Sequence, residues 1–255
     1  MKRNIVFLPC ISTGDGRSNP YQYSINSWKY WCKKNDCDLI IMDELLCPIK
    51  DMKITWQRWH VLDILEHSDI NYDQVLVVDA DTIVHPECPN FFNLTDNKLT
   101  VVHNEGCYDW IIRSMENYYK HMFSDEPLSF HFWDYINCGF MIFNKSHKSF
   151  LSDFINFYHN NKENIIKLQE TYHVGTDQPI FNHFLRKQKI EHKFLPYEFN
   201  MCDLPRKEIL DDELTMTEVG WIYHFNAIPQ QFGKPEQWME KVYNKLYKPL
   251  TKKTK

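Results

Sequence analysis

Glycine is scarce in this chain, at 7 of 255 residues, and proline reaches only 12. Neither gathers into a rich stretch, so no flexible linker is expected, and no segment repeats. Long apolar runs are missing as well: nothing approaches the roughly 18 consecutive apolar residues of a membrane span. Met1-Lys2-Arg3 before Ile5-Val6-Phe7-Leu8 imitates a signal peptide, but the apolar run is short and no small-residue cleavage site follows. It reads better as a first strand, and a cytoplasmic location is the expectation. Positive charge is not in excess. A net charge of −5 and a pI near 6.2 exclude a polybasic face, so nucleic acid is not an expected partner. The basic tail Lys252-Lys253-Thr254-Lys255 is too short to change that. Paired cysteine spacing is absent too. The eight cysteines are scattered, and the one close pair, Cys32 and Cys37, has no second pair to complete a zinc site. Cys10 and Cys138 lie inside strand-like runs and read as small buried hydrophobes in a reducing compartment. Aromatic residues, in contrast, are plentiful at 15%, and hydrophobic residues at 43% suffice for one large core. Most of the rings belong in that core, although exposed ones can stack on sugar faces.

The hydrophobic pattern alternates between periods. Residues 4–10 read as a buried strand, 19–35 as a helix through Tyr21, Ile25, Trp28 and Trp31, and 38–42 as a second strand. A helix over 55–67 carries Trp56, Trp59, Leu62 and Leu65 near one face, and a strand follows it. Further strands are predicted at 99–103, 135–144, 190–196 and 221–225. Helices are predicted at 108–122, 147–160, 178–188 and 235–247. The early strand–helix–strand–helix–strand order predicts an α/β fold: one Rossmann-like domain, a mostly parallel central sheet and helices on both faces.

The third strand runs into Val77-Val78-Asp79-Ala80-Asp81-Thr82. Alternate residues of a strand face the same side, so Asp79 and Asp81 should converge on one point. Carboxylates that close repel each other unless a cation lies between them, and oxygen ligands suit Mg²⁺ or Mn²⁺. Open α/β sheets bind ligands at the carboxyl ends of their strands, where this pair falls. The plainer reading is a pair of aspartates capping the next loop or helix.

Three later segments also carry polar groups at element ends. Asn137-Cys138-Gly139 opens a buried strand, and its glycine permits close backbone approach. Asp177-Gln178-Pro179 opens a helix, where Asp177 could equally be a cap. Trp221-Ile222-Tyr223-His224-Phe225 ends a strand with an imidazole suited to a metal, or simply satisfied near the core.

In this order the segments resemble the GT-A-fold glycosyltransferases, most closely family 8 and its retaining relatives. The resemblance runs from about residue 56 to 238 and implies a single domain over 1–255. About 1–103 would bind nucleotide, and about 104–248 would hold donor sugar, acceptor and closing helix. It implies a hexosyl- or pentosyltransferase using a nucleotide-sugar donor, a UDP-sugar, and a glycan or other hydroxyl acceptor. Asp79, Asp81 and His224 would hold Mn²⁺ (or Mg²⁺), and Ala80 would lie against the ribose. Arg58, Asn137, Gly139 and Glu105 would contact the donor. Asp177 would hold a donor-sugar hydroxyl, and Gln178 would sit closest to the anomeric carbon. Lys234 would be the diphosphate lysine, although it follows His224 by ten residues where the family pattern keeps six. Should the enzyme invert, Asp134 or Glu105 would have to act as base. The acceptor is expected near the aromatic segment 105–135.

Other readings use the same residues. Asp79 and Asp81 also resemble the aspartates of haloacid dehalogenase-like phosphatases, with Asp211-Asp212 as the later acidic pair. A catalytically inactive sugar-binding module would use the aromatic surface alone. Arg58 could be an exposed helix charge. The last helix, with Trp238, Val242 and Leu246 beside Lys241, Lys245 and Lys248, could dock peripherally on an anionic membrane or merely close the fold.

Overall fold

The computed structural model describes residues 3–12, 14, 18, 20–126 and 131–252. Residues 13, 15–17 and 19, residues 127–130 of the aromatic segment and the tail 253–255 lie outside them. The elements are β1 (Arg3–Pro9), α1 (Tyr21–Lys34), β2 (Asp38–Met42), α2 (Ile54–Gln57), α3 (Val61–His67) and β3 (Tyr72–Val78). Then come β4 (Thr82–Val84), β5 (Leu99–His103), α4 (Tyr108–His121), β6 (Ile136–Asn144), α5 (Lys148–Tyr172) and α6 (Gln178–Lys187). The chain continues through β7 (His192–Leu195), α7 (Met216–Val219), β8 (Ile222–His224) and α8 (Pro235–Lys252).

Six strands form the central sheet in the order β2-β1-β3-β6-β5-β7. β6 runs antiparallel to its neighbours β3 and β5, and the other pairings are parallel. The apolar strands feed both faces, as the strand period requires. Ile5, Phe7, Val75 and Val77 join one core with side chains of α3, α5 and α6. Val6, Leu8, Leu76 and Val78 join another beneath α1, where Trp31 stacks on Phe91 at 4.4 Å. Truncating such a buried ring to alanine costs about 3–5 kcal/mol.

Two expectations change in detail. The helix expected over 147–160 extends to Tyr172, because Ile165 and Leu168 carry its buried face past the polar run after Tyr158. The strand expected to carry both aspartates stops at Val78, and Asp79-Ala80-Asp81 form a turn before β4. Their convergence therefore comes from the turn and not from the strand pleat.

A short ribbon, β4 paired antiparallel with β8, sits apart from the main sheet and sets Thr82 opposite His224. α8 packs on it through Trp238, Met239 and Val242, all buried with Tyr223 and Ile83. Lys241 and Lys245 are engaged by Asp212 and Glu218 at 2.8 and 3.2 Å. The apolar side of the last helix thus faces the protein and closes the fold, and its packing lends no support to the membrane-docking reading. No helix among the described residues is long and apolar enough to cross a membrane.

Candidate active site

Arg58 is placed by its neighbours. The stretch expected as one helix is α2 and α3 joined by a tight 3-10 turn at Arg58–His60. Trp56 stacks on Tyr158 at 4.4 Å and Trp59 on Phe181 at 4.7 Å. The buried Gln57 amide accepts from Leu46 N at 2.7 Å and donates to the carbonyls of Cys47 and Met52, both at 3.0 Å. With both flanks fixed, Arg58 turns inward and is only 9% exposed. It is no surface charge: it pairs with Asp79 and, at 2.8 Å, with Asp177. Asp177 stands at the start of α6 but makes no side-chain cap bond. Its carboxylate instead accepts from Arg58, from the Trp59 indole at 2.8 Å and from the Thr176 hydroxyl at 2.8 Å.

The turn after β3 is held from several sides. Asp79 N donates to Gly139 O at 3.1 Å, and Phe225 N donates to Asp81 O at 2.9 Å. The Thr82 hydroxyl donates to Asp79 O at 2.7 Å and accepts from the Trp28 indole at 3.0 Å. The β4–β8 ribbon then sets His224 beside the carboxylates, with Nε2 at 3.5 Å from Asp79 and 3.2 Å from Asp81. One ligand atom from each of the three side chains lies within 4.8 Å of the others. Adjacent ligands bound at about 2.1 Å to one small divalent ion would be about 3 Å apart, and a carboxylate–imidazole set can hold a first-row divalent ion. The donor set fits such an ion.

A wall of amides adjoins this group. Asn137 accepts from Gly139 N at 2.8 Å and from Asn200 at 3.0 Å, and donates to Asn104 at 2.8 Å. Gln178 accepts from Cys138 N at 2.8 Å and donates to Asn104 at 3.2 Å. The structure thus brings together Arg58, Asp79, Asp81, Asn137, Gly139, Asp177, Gln178 and His224. Ala80 is buried in the core below, so its methyl group faces the protein interior. Two expected residues stand outside the cluster. Glu105 lies by Lys207, which donates to its carbonyl at 2.8 Å, and Lys234 is exposed ahead of α8. Asp211 and Asp212, the acidic pair of the phosphatase reading, bond instead to Thr215 N and Lys241.

No known family model and no curated protein sequence matches this chain. Solved structures do. A glycosyltransferase involved in glycosylation of the major capsid of PBCV-1 aligns with a TM-score of 0.58 at 9% identity, over 93% of this chain and 98% of its own. Apo mouse xyloside xylosyltransferase 1 aligns at 0.50 and 10% identity, over 89% and 98%. Apo GlyE, a glycosyltransferase of Streptococcus pneumoniae TIGR4, aligns at 0.52 and 14% identity; all of this chain spans 64% of GlyE. The chain has a glycosyltransferase fold. At these identities the likeness is one of architecture, and the chemistry is argued from the site itself.

Within that fold the electrostatics are tense. Burial opposes a charge on His224, but Asp81 and Asp79 outweigh it and raise the imidazole pKa above its ordinary value. Asp79 is raised as well, first by burial and further by Asp81 and Asp177, against the pull of Arg58 and His224. The carboxylates thus favour a proton on His224, and a divalent ion would balance them in the same way.

Gly139 is required by close approach. A Cβ there would lie 2.4 Å from His224 Cε1 and 2.7 Å from Asn137 Oδ1. Gly139→Ala is therefore expected to displace the imidazole and weaken Mn²⁺ binding by on the order of tenfold or more. Calorimetric titration checks this, and unchanged affinity would remove the steric reading.

Asn104, Asn200, Asp203 and the Trp59 indole were not legible as site groups. Asp203 is buried, accepts from the Cys107 thiol at 2.7 Å and faces Asn104 at 3.4 Å. Asn200 and Asp203 lie in irregular chain after β7, where no periodicity marks them. The nearest signal is that Asn104 directly follows a predicted strand end.

Proposed function

We propose that this chain is a metal-dependent GT-A glycosyltransferase, akin to family 8, that moves a sugar from a UDP-sugar to a hydroxyl of a glycan or other acceptor with retention. The observation that carries this reading is the meeting of Asp79, Asp81 and His224 beside the Arg58–Asp177 pair, at a strand end of a glycosyltransferase fold. A single domain suffices, with the acceptor approaching the aromatic segment 105–135. Mn²⁺ (or Mg²⁺) held by Asp79, Asp81 and His224 would supply Lewis-acid neutralisation of the departing diphosphate. Arg58 orients Asp79 and Asp177 with charge-assisted hydrogen bonds. Asp177 keeps its carboxylate in place for a donor-sugar hydroxyl. Gln178, held at both ends, retains a lone pair to face positive charge growing at the anomeric carbon. Asn137 and Gly139 line the donor sugar, and Ala80 is assigned to the ribose by resemblance alone. Glu105 and Lys234 are assigned to donor sugar and diphosphate by resemblance alone.

A thermal-stability screen with UDP-, GDP- and other nucleotide sugars, with and without Mn²⁺, tests this reading. A ligand at 100 times its Kd stabilises by about 2.7 kcal/mol. UDP compounds with Mn²⁺ should raise the melting temperature most. Hydrolysis of simple phosphate esters with no nucleotide effect would favour the phosphatase. Glycan binding without donor hydrolysis would favour the inactive module.

Metal affinity should also depend on pH. Binding needs the neutral imidazole, so affinity should climb with pH through the raised pKa of His224, above about 6.5. Without metal the sign reverses. The raised pKa stabilises the fold fully below the unfolded value, and that contribution is lost as pH rises through the folded value. Calorimetry in buffers of different ionisation enthalpy should record a proton leaving with each cation bound; pH-independent affinity would contradict the assignment.

A further inference from the structure

We infer that Asn200 is the positioning residue of this site: it fixes His224 with its proton on Nδ1 and ties the cation ligands to the wall formed by Asn104, Asn137 and Gln178. The inference rests on the proposed function only in naming the cation. The hydrogen-bond directions stand on their own.

They are set by the backbone. Gly139 N can only donate, so the Asn137 atom that receives it at 2.8 Å is an oxygen. Asn200 reaches that same oxygen at 3.0 Å, and must do so with its NH₂. The other end of the Asn200 amide is therefore its oxygen, and it lies 3.1 Å from His224 Nδ1. An oxygen there accepts, so Nδ1 carries the proton. Without a cation Nε2 can carry a proton towards Asp79 and Asp81 as well; when a cation takes that proton's place, the lone pair left bare is the one on Nε2. A second backbone donor anchors the far end. Cys138 N fixes the oxygen of Gln178, whose NH₂ then meets the oxygen of Asn104, and Asn137 donates to that oxygen too. Every direction along the chain agrees.

Asn200 is also firmly placed. It is fully buried, and Met201 after it joins β8 through Met201 N to Ile222 O at 2.8 Å and His224 N to Met201 O at 3.2 Å. A buried amide with both ends engaged holds a partner ring in one orientation. Partners of this kind typically change metal affinity 10–100-fold when removed.

The test has two readouts that need no sugar donor. ¹H–¹⁵N NMR of His224 in the metal-free protein should show a hydrogen-bonded Nδ1–H in the wild type, whatever Nε2 carries, and its loss in Asn200→Ala. Calorimetry should show Mn²⁺ binding to Asn200→Ala weakened about 10–100-fold. Asn200→Asp keeps an acceptor opposite Nδ1–H but sets its second oxygen against the oxygen of Asn137, so it should restore the Nδ1–H and only part of the affinity. A bare Nδ1 in the wild type overturns the inference, as does an Asn200→Ala protein with unaltered Nδ1–H and affinity. Should Asn200→Ala fail to fold, the wild-type Nδ1–H and Asn200→Asp decide. Should the wild type bind no Mn²⁺, the proposed function loses its metal while the Nδ1–H still decides on Asn200.

Discussion

Asp81→Ala is expected to reduce sugar transfer by about a thousandfold or more while leaving the protein folded. Lewis-acid stabilisation of a leaving phosphate is worth several kcal/mol, and each 1.36 kcal/mol is about tenfold in rate. The Asp81 side chain is partly exposed, and its structural bond to Phe225 N uses the backbone carbonyl, which alanine keeps. Removing the carboxylate also takes away the nearer of the two acidic partners of His224, so its imidazole pKa should fall back from its raised value. Transfer rate, Mn²⁺ calorimetry and a circular-dichroism melt together check this. Near wild-type turnover with an intact fold would show that the carboxylate pair does not act through a cation.

Arg58→Met should act on stability first. Among the described residues, the guanidinium is the one group that pairs with both Asp79 and Asp177, and the Asp177 side chain is only 4% exposed. Taking away one partner of a buried ion pair strands the other, at a cost of about 3–5 kcal/mol. Methionine fills similar volume, so packing loss is small and the deficit reports the stranded carboxylates. Arg58→Lys should recover only part of it, because one ammonium cannot reproduce the fork that spans two carboxylates. Urea denaturation in the presence of a chelator measures both; a loss under about 1 kcal/mol for Arg58→Met would place the pair in the range of solvated surface bridges.

Much of this was legible in the sequence, for identifiable reasons. Strands buried on both faces announce themselves as apolar runs, so β1, β3 and β6 stood out. The Asp79–Asp81 pair fell at a strand end because an abrupt change from valine to carboxylate marks where burial stops. Strand direction is different. β6 is buried on both faces at nearly every position, and such a run reads alike in either sense, so its antiparallel course was hidden. The break at Arg58–His60 was hidden too, since Trp56, Trp59, Leu62 and Leu65 keep helical spacing across it. That break is what turns Arg58 inward and makes the solvated-charge reading fail. Asn200 had no sequence signal at all. Its place beside His224 comes from irregular backbone bonding to β8, a long-range contact that local spacing cannot encode.

The most direct measurement is anomalous scattering from crystals soaked with Mn²⁺ and UDP. A peak bounded by Asp79, Asp81 and His224 Nε2, touching the diphosphate, is the predicted result. Nucleotide bound elsewhere, or a site without manganese while His224 keeps its present hydrogen bonds, would contradict a metal-dependent transferase.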